Sequence, residues 1–181
     1  MCIRDSNNTI TDILNKIEVK AGDVVMVKAG TIHAIGAGVF ICEIQQNSNC
    51  TYRMYDYDRR DKFGNPRELH VKKALDVVDN HKYIKDNKTE VVIARNEHFT
   101  EERLVQCKYF EVYKYDVNDE AKITVDEASF VSVLFINGSG TIETDDYEKT
   151  MEFKAGDSFF VSAGLRSIII KGQATMVVTR V

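Results

Sequence analysis

One proline in 181 residues excludes a long proline-rich linker. The four cysteines, Cys2, Cys42, Cys50 and Cys107, form no C-x-x-C pair, which argues against a cysteine zinc site. There is no basic excess: 24 Lys and Arg stand against 28 Asp and Glu, for a net charge of −4. Nothing in that balance is built to meet phosphates in bulk, so nucleic acid is not the expected partner. No apolar run approaches the roughly 20 residues that a bilayer crossing takes, so no membrane partner is expected. The opening residues MCIRDSNN carry no long apolar stretch and do not read as a signal peptide. Without a secretion signal the expected compartment is the cytoplasm, with Cys42, inside the apolar run VFICEI, a reduced core thiol. No H-x-H or H-x-x-x-H pair occurs among the four histidines.

Against these absences, hydrophobic residues make up 44%, enough for a packed core. The chain also repeats itself once. Residues 20–33 read KAGDVVMVKAGTIH and residues 154–167 read KAGDSFFVSAGLRS, at a constant offset of 134, with seven of fourteen positions identical. A Gly-Asp turn, a short apolar strand and an Ala-Gly turn describe one β-hairpin built twice. The first copy ends at His33 and the second has Ser167 there, so only one copy offers an imidazole to a metal.

The spacing of Ile10, Ile13, Leu14 and Ile17 predicts a short amphipathic helix. Strands are predicted at VVMV, VFICEIQQ and TYRMYDY. Asn65 as cap, Pro66 at the first position and Glu68 three residues after the cap predict a helix closing at Asn80, with Val71, Ala74, Leu75 and Val78 as its apolar face. From about Tyr83 the pattern changes to seven short runs (VVIA, KYFEVYKY, ASFVSVLFI, GTIET, SFFVSAG, SIIIKG, ATMVVTRV) separated by Gly, Asp or Asn turns, which predicts a sandwich or jelly roll. The predicted organisation is a partial barrel with helices over 1–85 and a β-domain without a metal site over 86–181.

Four residues stand out chemically, each with a plainer reading beside it. His33 follows a turn at a strand end, where imidazole suits zinc, although a single histidine is also a common structural residue. Glu43 lies in an otherwise apolar strand, where a carboxylate is paired, metal-bound or poised for proton transfer, or simply faces water from an edge. Alternation puts Ile41, Glu43 and Gln45 on one face, and Glu43 and His33 are expected to share a cavity. Arg53 and Arg59 bracket MYDYD; guanidiniums suit sugar phosphates and oxyanions, and equally form surface ion pairs with the intervening aspartates. For His70, His81 and His98 the packing or surface reading is preferred.

The segment AGTIHAIGAGVFICEIQQNSNCTYRMYDYDRRDKFGNPRELHVKKALDVVD resembles type I mannose-6-phosphate isomerases, in particular the short bacterial form. The blocks G-T-I-H-A-I-G, E-I-Q-Q-N-S, T-Y-R-x-Y-D-Y-D-R and P-R-E-L-H occur in the same order and spacing, and FKAGDSFFVSAGLRSIIIKG is similar to the family's end. The resemblance implies a mainly β fold of two cupin-type jelly-roll barrels, the first incomplete here, with a few short helices. It implies a zinc-dependent isomerase interconverting mannose 6-phosphate and fructose 6-phosphate, so the expected partner is a small sugar phosphate; oligomeric state is left open. Residue by residue, His33 matches a zinc ligand, Arg53 the active-site arginine, Glu43 an acidic residue that aids proton transfer, and Arg59 a basic position suited to the phosphate.

Two departures from the family pattern bear on function. An acidic residue four positions before the arginine is Asn49 here, and an amide takes no proton at neutral pH. The family's Gln, His and Glu zinc ligands find no match, and no Q-x-H motif is present. The expectation is therefore a C-terminal fragment of a longer isomerase with a non-native or truncated start, inactive alone. The alternative is a non-catalytic cupin module that binds a sugar or serves a structural role; a cupin dioxygenase would need two or three histidine ligands.

Overall fold

The computed structural model describes residues 10–48, 50–81, 91–145 and 150–181. The chain divides into two compact units, Met1–Lys85 and Asp86–Val181.

In the C-terminal unit, alternating sequences become eight antiparallel strands: β1 (Val91–Arg95), β2 (Phe99–Gln106), β3 (Glu111–Val117), β4 (Glu120–Val125), β5 (Val131–Thr144), β6 (Met151–Lys154), β7 (Ser158–Val161) and β8 (Arg166–Arg180). They make one sheet in the order β1-β2-β3-β8-β5-β6, with β4 added to β8 and β7 to β5. β8 is its spine. One edge of β8 pairs with β4 through Arg166–Lys171 and with β3 through Ala174–Arg180, while the other runs along β5. The sheet encloses one core: Ile123 and Val125, Val131, Val133 and Phe135, and Ile168, Ile170, Met176 and Val178 are all buried. The Phe135 and Phe153 rings stack with centroids 3.7 Å apart.

Three strands are absent from the expectation and two pairs of runs are fused. β2, FTEERLVQ, hides behind its charges. It pairs Glu102 with Lys114 and Glu101 with Tyr115 across β3, so these charged side chains are stabilised by cross-strand partners. β4 and β6 were likewise passed over. The runs ending at LFI and starting at GTIET are one strand, β5, and the runs at SIIIKG and ATMVVTRV are one strand, β8. The glycines between them mark a close backbone approach instead of turns: a Cβ on Gly138 would fall onto the Gln173 carbonyl oxygen, and one on Gly140 onto that of Lys171.

The N-terminal unit is built differently. A single 3-10 turn covers Ile10–Ile13, where a longer helix was expected; Ile10 is buried but Ile13 and Ile17 are exposed. α1 spans Val71–Val77. Its apolar face is as expected, with Ala74 packed against Ile10 and Met54, but its start is not. Asn65 is drawn off to the Asp61 carboxylate and Pro66 pairs with Arg60, so His70 takes the cap position without a side-chain cap. VVMV, VFICEIQQ and TYRMYDY form no strands. A strand persists only with a neighbour to take its N–H and C=O groups, and none of the described residues in this unit supplies one. For the same reason Cys42, expected in the core, is exposed.

Candidate functional site

The best-ordered chemistry of the N-terminal unit lies between Thr51 and His81. His70 donates its backbone N–H to the Arg53 carbonyl at 2.7 Å, and the Arg53 N–H returns a bond to His70 Nδ1 at 3.2 Å. Because Nδ1 accepts, the ring proton sits on Nε2, which faces Glu68 at 3.8 Å. The Arg53 guanidinium donates to the Glu68 carbonyl at 3.1 Å and lies 3.6 Å from Asp56 Oδ1. Arg53 is thus half-buried and held at backbone and side chain alike.

Asp56 is the centre of the group. It is buried and grips Arg67 through both oxygens, one bond at 2.7 Å to Nε and the other to the terminal nitrogen. The hydrogen bond from Arg67 above all, with the charges of Arg67, Arg53 and Arg59, holds its carboxyl below the usual carboxylate range. Three guanidiniums therefore act on one carboxylate, with Glu68 and Asp58 as further acidic residues of the same stretch.

The turn after Asp56 aims Arg59. Tyr57 and Asp58 have φ of 53° and 50°, and the Arg59 N–H closes onto the Asp56 carbonyl at 3.0 Å. Two consecutive positive φ values make a type I′ turn from residues that ordinarily avoid it. The Tyr55 and Tyr57 rings lie 4.8 Å apart, and the exposed Arg59 guanidinium sits 5.7 Å over Tyr57.

His33 is placed by a different device. Gly30, at φ 84°, turns the chain against the end of α1, where its carbonyl accepts from Asp79 N–H at 2.9 Å. His33 is exposed, with Nδ1 2.9 Å from the Thr31 carbonyl. A carbonyl only accepts, so Nδ1 carries the proton and Nε2 presents a lone pair, the arrangement of a metal-ligating histidine. Glu43 is exposed, as are Ile41 and Cys42 beside it, while Ile44 is half-buried.

Among the described residues, then, the fold groups Arg53 with Asp56, Arg67, Glu68 and His70, and brings Arg59 into the same field. Among the described residues, no hydrogen bond or ion pair joins His33 or Glu43 to that group. No set of three or more His, Cys, Asp or Glu side chains among the described residues could hold a metal ion. Asn49 lies outside the described residues. Sequence reasoning passed over Arg67, whose signal was its place in the P-R-E-L-H block; it weighed Asp56 as an ion-pair partner of the arginines and His70 as a packing or surface residue.

The antiparallel architecture and the repeated Gly-Asp hairpin belong to a cupin-type domain. The profile of the mannose-6-phosphate isomerase cupin domain matches residues 100–181. YvyI of Bacillus subtilis, by name a candidate mannose-6-phosphate isomerase, is 42% identical over 174 residues, covering 93% of this chain and 52% of its own length. The mannose-6-phosphate isomerase ManA of the same organism is 34% identical over 178 residues, with the same coverage. A crystal structure of the mannose 6-phosphate isomerase from Bacillus subtilis superposes with a TM-score of 0.66 at 39% identity, covering 75% of this chain and 42% of that one. The chain is a relative of the mannose-6-phosphate isomerases along nearly all of its sequence. It spans about half the length of the curated relatives it matches.

Proposed function

We propose that this chain contributes the arginine side of an aldose–ketose isomerase site interconverting mannose 6-phosphate and fructose 6-phosphate in the cytoplasm. The observation that carries the reading is likeness to named isomerases over 93% of the chain, joined to a cluster of arginines, a residue type that suits an anionic sugar. In the reaction a carboxylate takes the proton from C2 and returns it to C1 through an enediol. Glu43 is the residue assigned to that transfer. Arg53, held by His70 and Glu68, steadies the negative charge on the reacting oxygens, and Arg59 takes the phosphate. Among the described residues no helix is long and apolar enough to cross a membrane.

The zinc implied by the resemblance fits His33, whose free Nε2 suits one ligand position. A catalytic zinc site takes about three protein ligands, and the described residues offer no such set, so they do not fit a complete site. That same shortage favours the second reading, a non-catalytic cupin module. The test is a coupled assay for fructose 6-phosphate on the purified chain with added zinc, beside a zinc titration. We expect weak zinc binding that His33→Ala removes, and negligible turnover. Turnover comparable to a full-length relative would show a complete site within this sequence. Zinc binding unchanged by His33→Ala would remove His33 from the ligands.

A further inference from the structure

Subtracting the repeat offset of 134 maps the second copy onto the first, element by element. β6 falls on Ile17–Lys20, β7 on Val24–Val27 and β8 on Ile32–Gln46. The turns agree in detail. Gly22 and Gly156 have φ of 92° and 90°, and Gly30 and Gly164 have 84° and 81°. Lys20 N–H bonds the Asp23 carboxylate at 3.2 Å as Lys154 N–H bonds that of Asp157 at 2.9 Å, and in both copies the Asp N–H returns to the Lys carbonyl at 3.1 Å. Turn chemistry is local, and it is satisfied twice.

The strands are not. In the second copy β7 pairs with β5, and β8 is flanked by β5 on one side and by β3 and β4 on the other. The first copy has the counterparts of β6, β7 and β8 without those partners. The same offset ends the counterpart of β5 at Ile10 and carries β1–β4 to numbers below 1.

Burial follows the pairing. Phe153 and Val161 are 3% and 7% exposed, whereas their counterparts Val19 and Val27 are 43% and 39% exposed. Ala174 and Met176 are buried, whereas Phe40 is 99% exposed and Cys42 is open. The alternation is inverted at one position: Phe160, on the outer face of β7, is 70% exposed, while its counterpart Met26 is half-covered. The side chains that face a core in one copy are the uncovered ones in the other.

We propose that Ile17–Val27 and Val39–Gln46 form an acceptor edge for antiparallel strands equivalent to β3–β5, supplied by the part of a mannose-6-phosphate isomerase polypeptide that this chain does not match. A second copy of this chain is the poorer occupant, because its own β3–β5 are already held by its β8. The relatives' additional length is of the right scale, since β1–β5 take only Val91–Thr144. The mode is strand addition, with main-chain bonds for affinity and alternate pockets for selectivity. It also fixes a register. Gly156 N–H and the Asp157 carbonyl both bond the backbone of Phe135, at 2.8 and 3.0 Å. Gly22 N–H and the Asp23 carbonyl take one apolar residue of the incoming strand in the same way.

The experiment is hydrogen exchange on the full chain, alone and co-expressed with the part of Bacillus subtilis ManA outside the match. Alone, amides of 17–27 and 39–46 exchange at close to free-peptide rates, while those of 151–161 and 173–180 are protected. With the partner, the first set slows on the order of 100-fold. Val25→Asp with Val27→Asp abolishes that slowing, and Met26→Asp, on the outer face, leaves it. Protection of 17–27 in the chain alone, no slowing with the partner, or equal damage from Met26→Asp would each overturn the proposal. Protection of 151–161 serves as the control that every variant is folded. Assembly without turnover would count against the isomerase reading and leave this one standing.

Discussion

The Asp56–Arg67 pair orders the candidate site, and its chemistry sets a pH dependence. The folded carboxyl titrates below its unfolded value near 3.9, so its stabilisation is complete above that value and fades as pH falls through the folded pKa. Asp56→Asn should lower the urea midpoint read from the His70 and Ala74 backbone signals at pH 7. The gap to the parent should start to narrow as pH falls below the unfolded value near 3.9, and close only once pH has passed the lowered folded pKa, where the parent carboxyl is protonated too. A gap that does not narrow at all as pH falls would mean that Asp56 acts through packing. Arg53 was legible as a chemical residue because guanidiniums bracket an acidic stretch. Its holder, His70, was not, because the two are 17 residues apart and only the folded loop brings them together.

For single elements, glycine has two meanings that sequence alone does not separate. At Gly156 a positive φ makes the turn and open space surrounds the Cβ position, so Gly156→Ala meets backbone strain of about 1–2 kcal/mol. At Gly140 the backbone φ is ordinary, but a Cβ would meet the Lys171 carbonyl and the Phe153 ring, so Gly140→Ala forces β5 from β8 or displaces a core ring. That should destabilise the C-terminal unit by on the order of 1–3 kcal/mol. It should also broaden the Phe135 and Phe153 aromatic NMR signals, which Gly156→Ala leaves sharp. Unchanged ring signals in Gly140→Ala would show that the strands separate freely. Reading Gly138, Gly140 and Gly172 as turns split β5 and β8. Charge at Glu101, Glu102 and Arg103, spread over both faces, broke the alternation and hid β2. The turn signals at Gly22, Gly30, Gly156 and Gly164 were legible because nothing beyond four neighbouring residues decides them.

Taken whole, the molecule is uneven. Nearly all the buried apolar side chains belong to the C-terminal unit, and the N-terminal unit buries Ile10, Met54 and Ala74. Hydrophobic burial scales with area removed from water, so the two units differ widely in resistance to opening. Limited proteolysis of the chain should cut within 10–81 first and leave a resistant product containing residues 99–180. Simultaneous loss of both units would show that the N-terminal unit is stabilised by more than its described contacts. The β class and the repeat were visible because alternation and turn residues are local. Strand formation in the first copy was overestimated because alternation states which face a strand would bury, and pairing depends on residues elsewhere.

β8 carries a consequence for synthesis. It is the last strand in chain order, yet it separates β5 from both β3 and β4 in the sheet. On the ribosome, β1–β3 and β5–β7 can emerge early as hairpins or short ladders, but neither these nor β4 can be stitched together until Arg166–Arg180 clears the exit tunnel. Completion of the sheet thus waits for β8, and the nascent β5, with one edge bare, must be shielded for as long as the ribosome takes to reach it. Slow codons placed between residues 144 and 166 would lengthen that exposure.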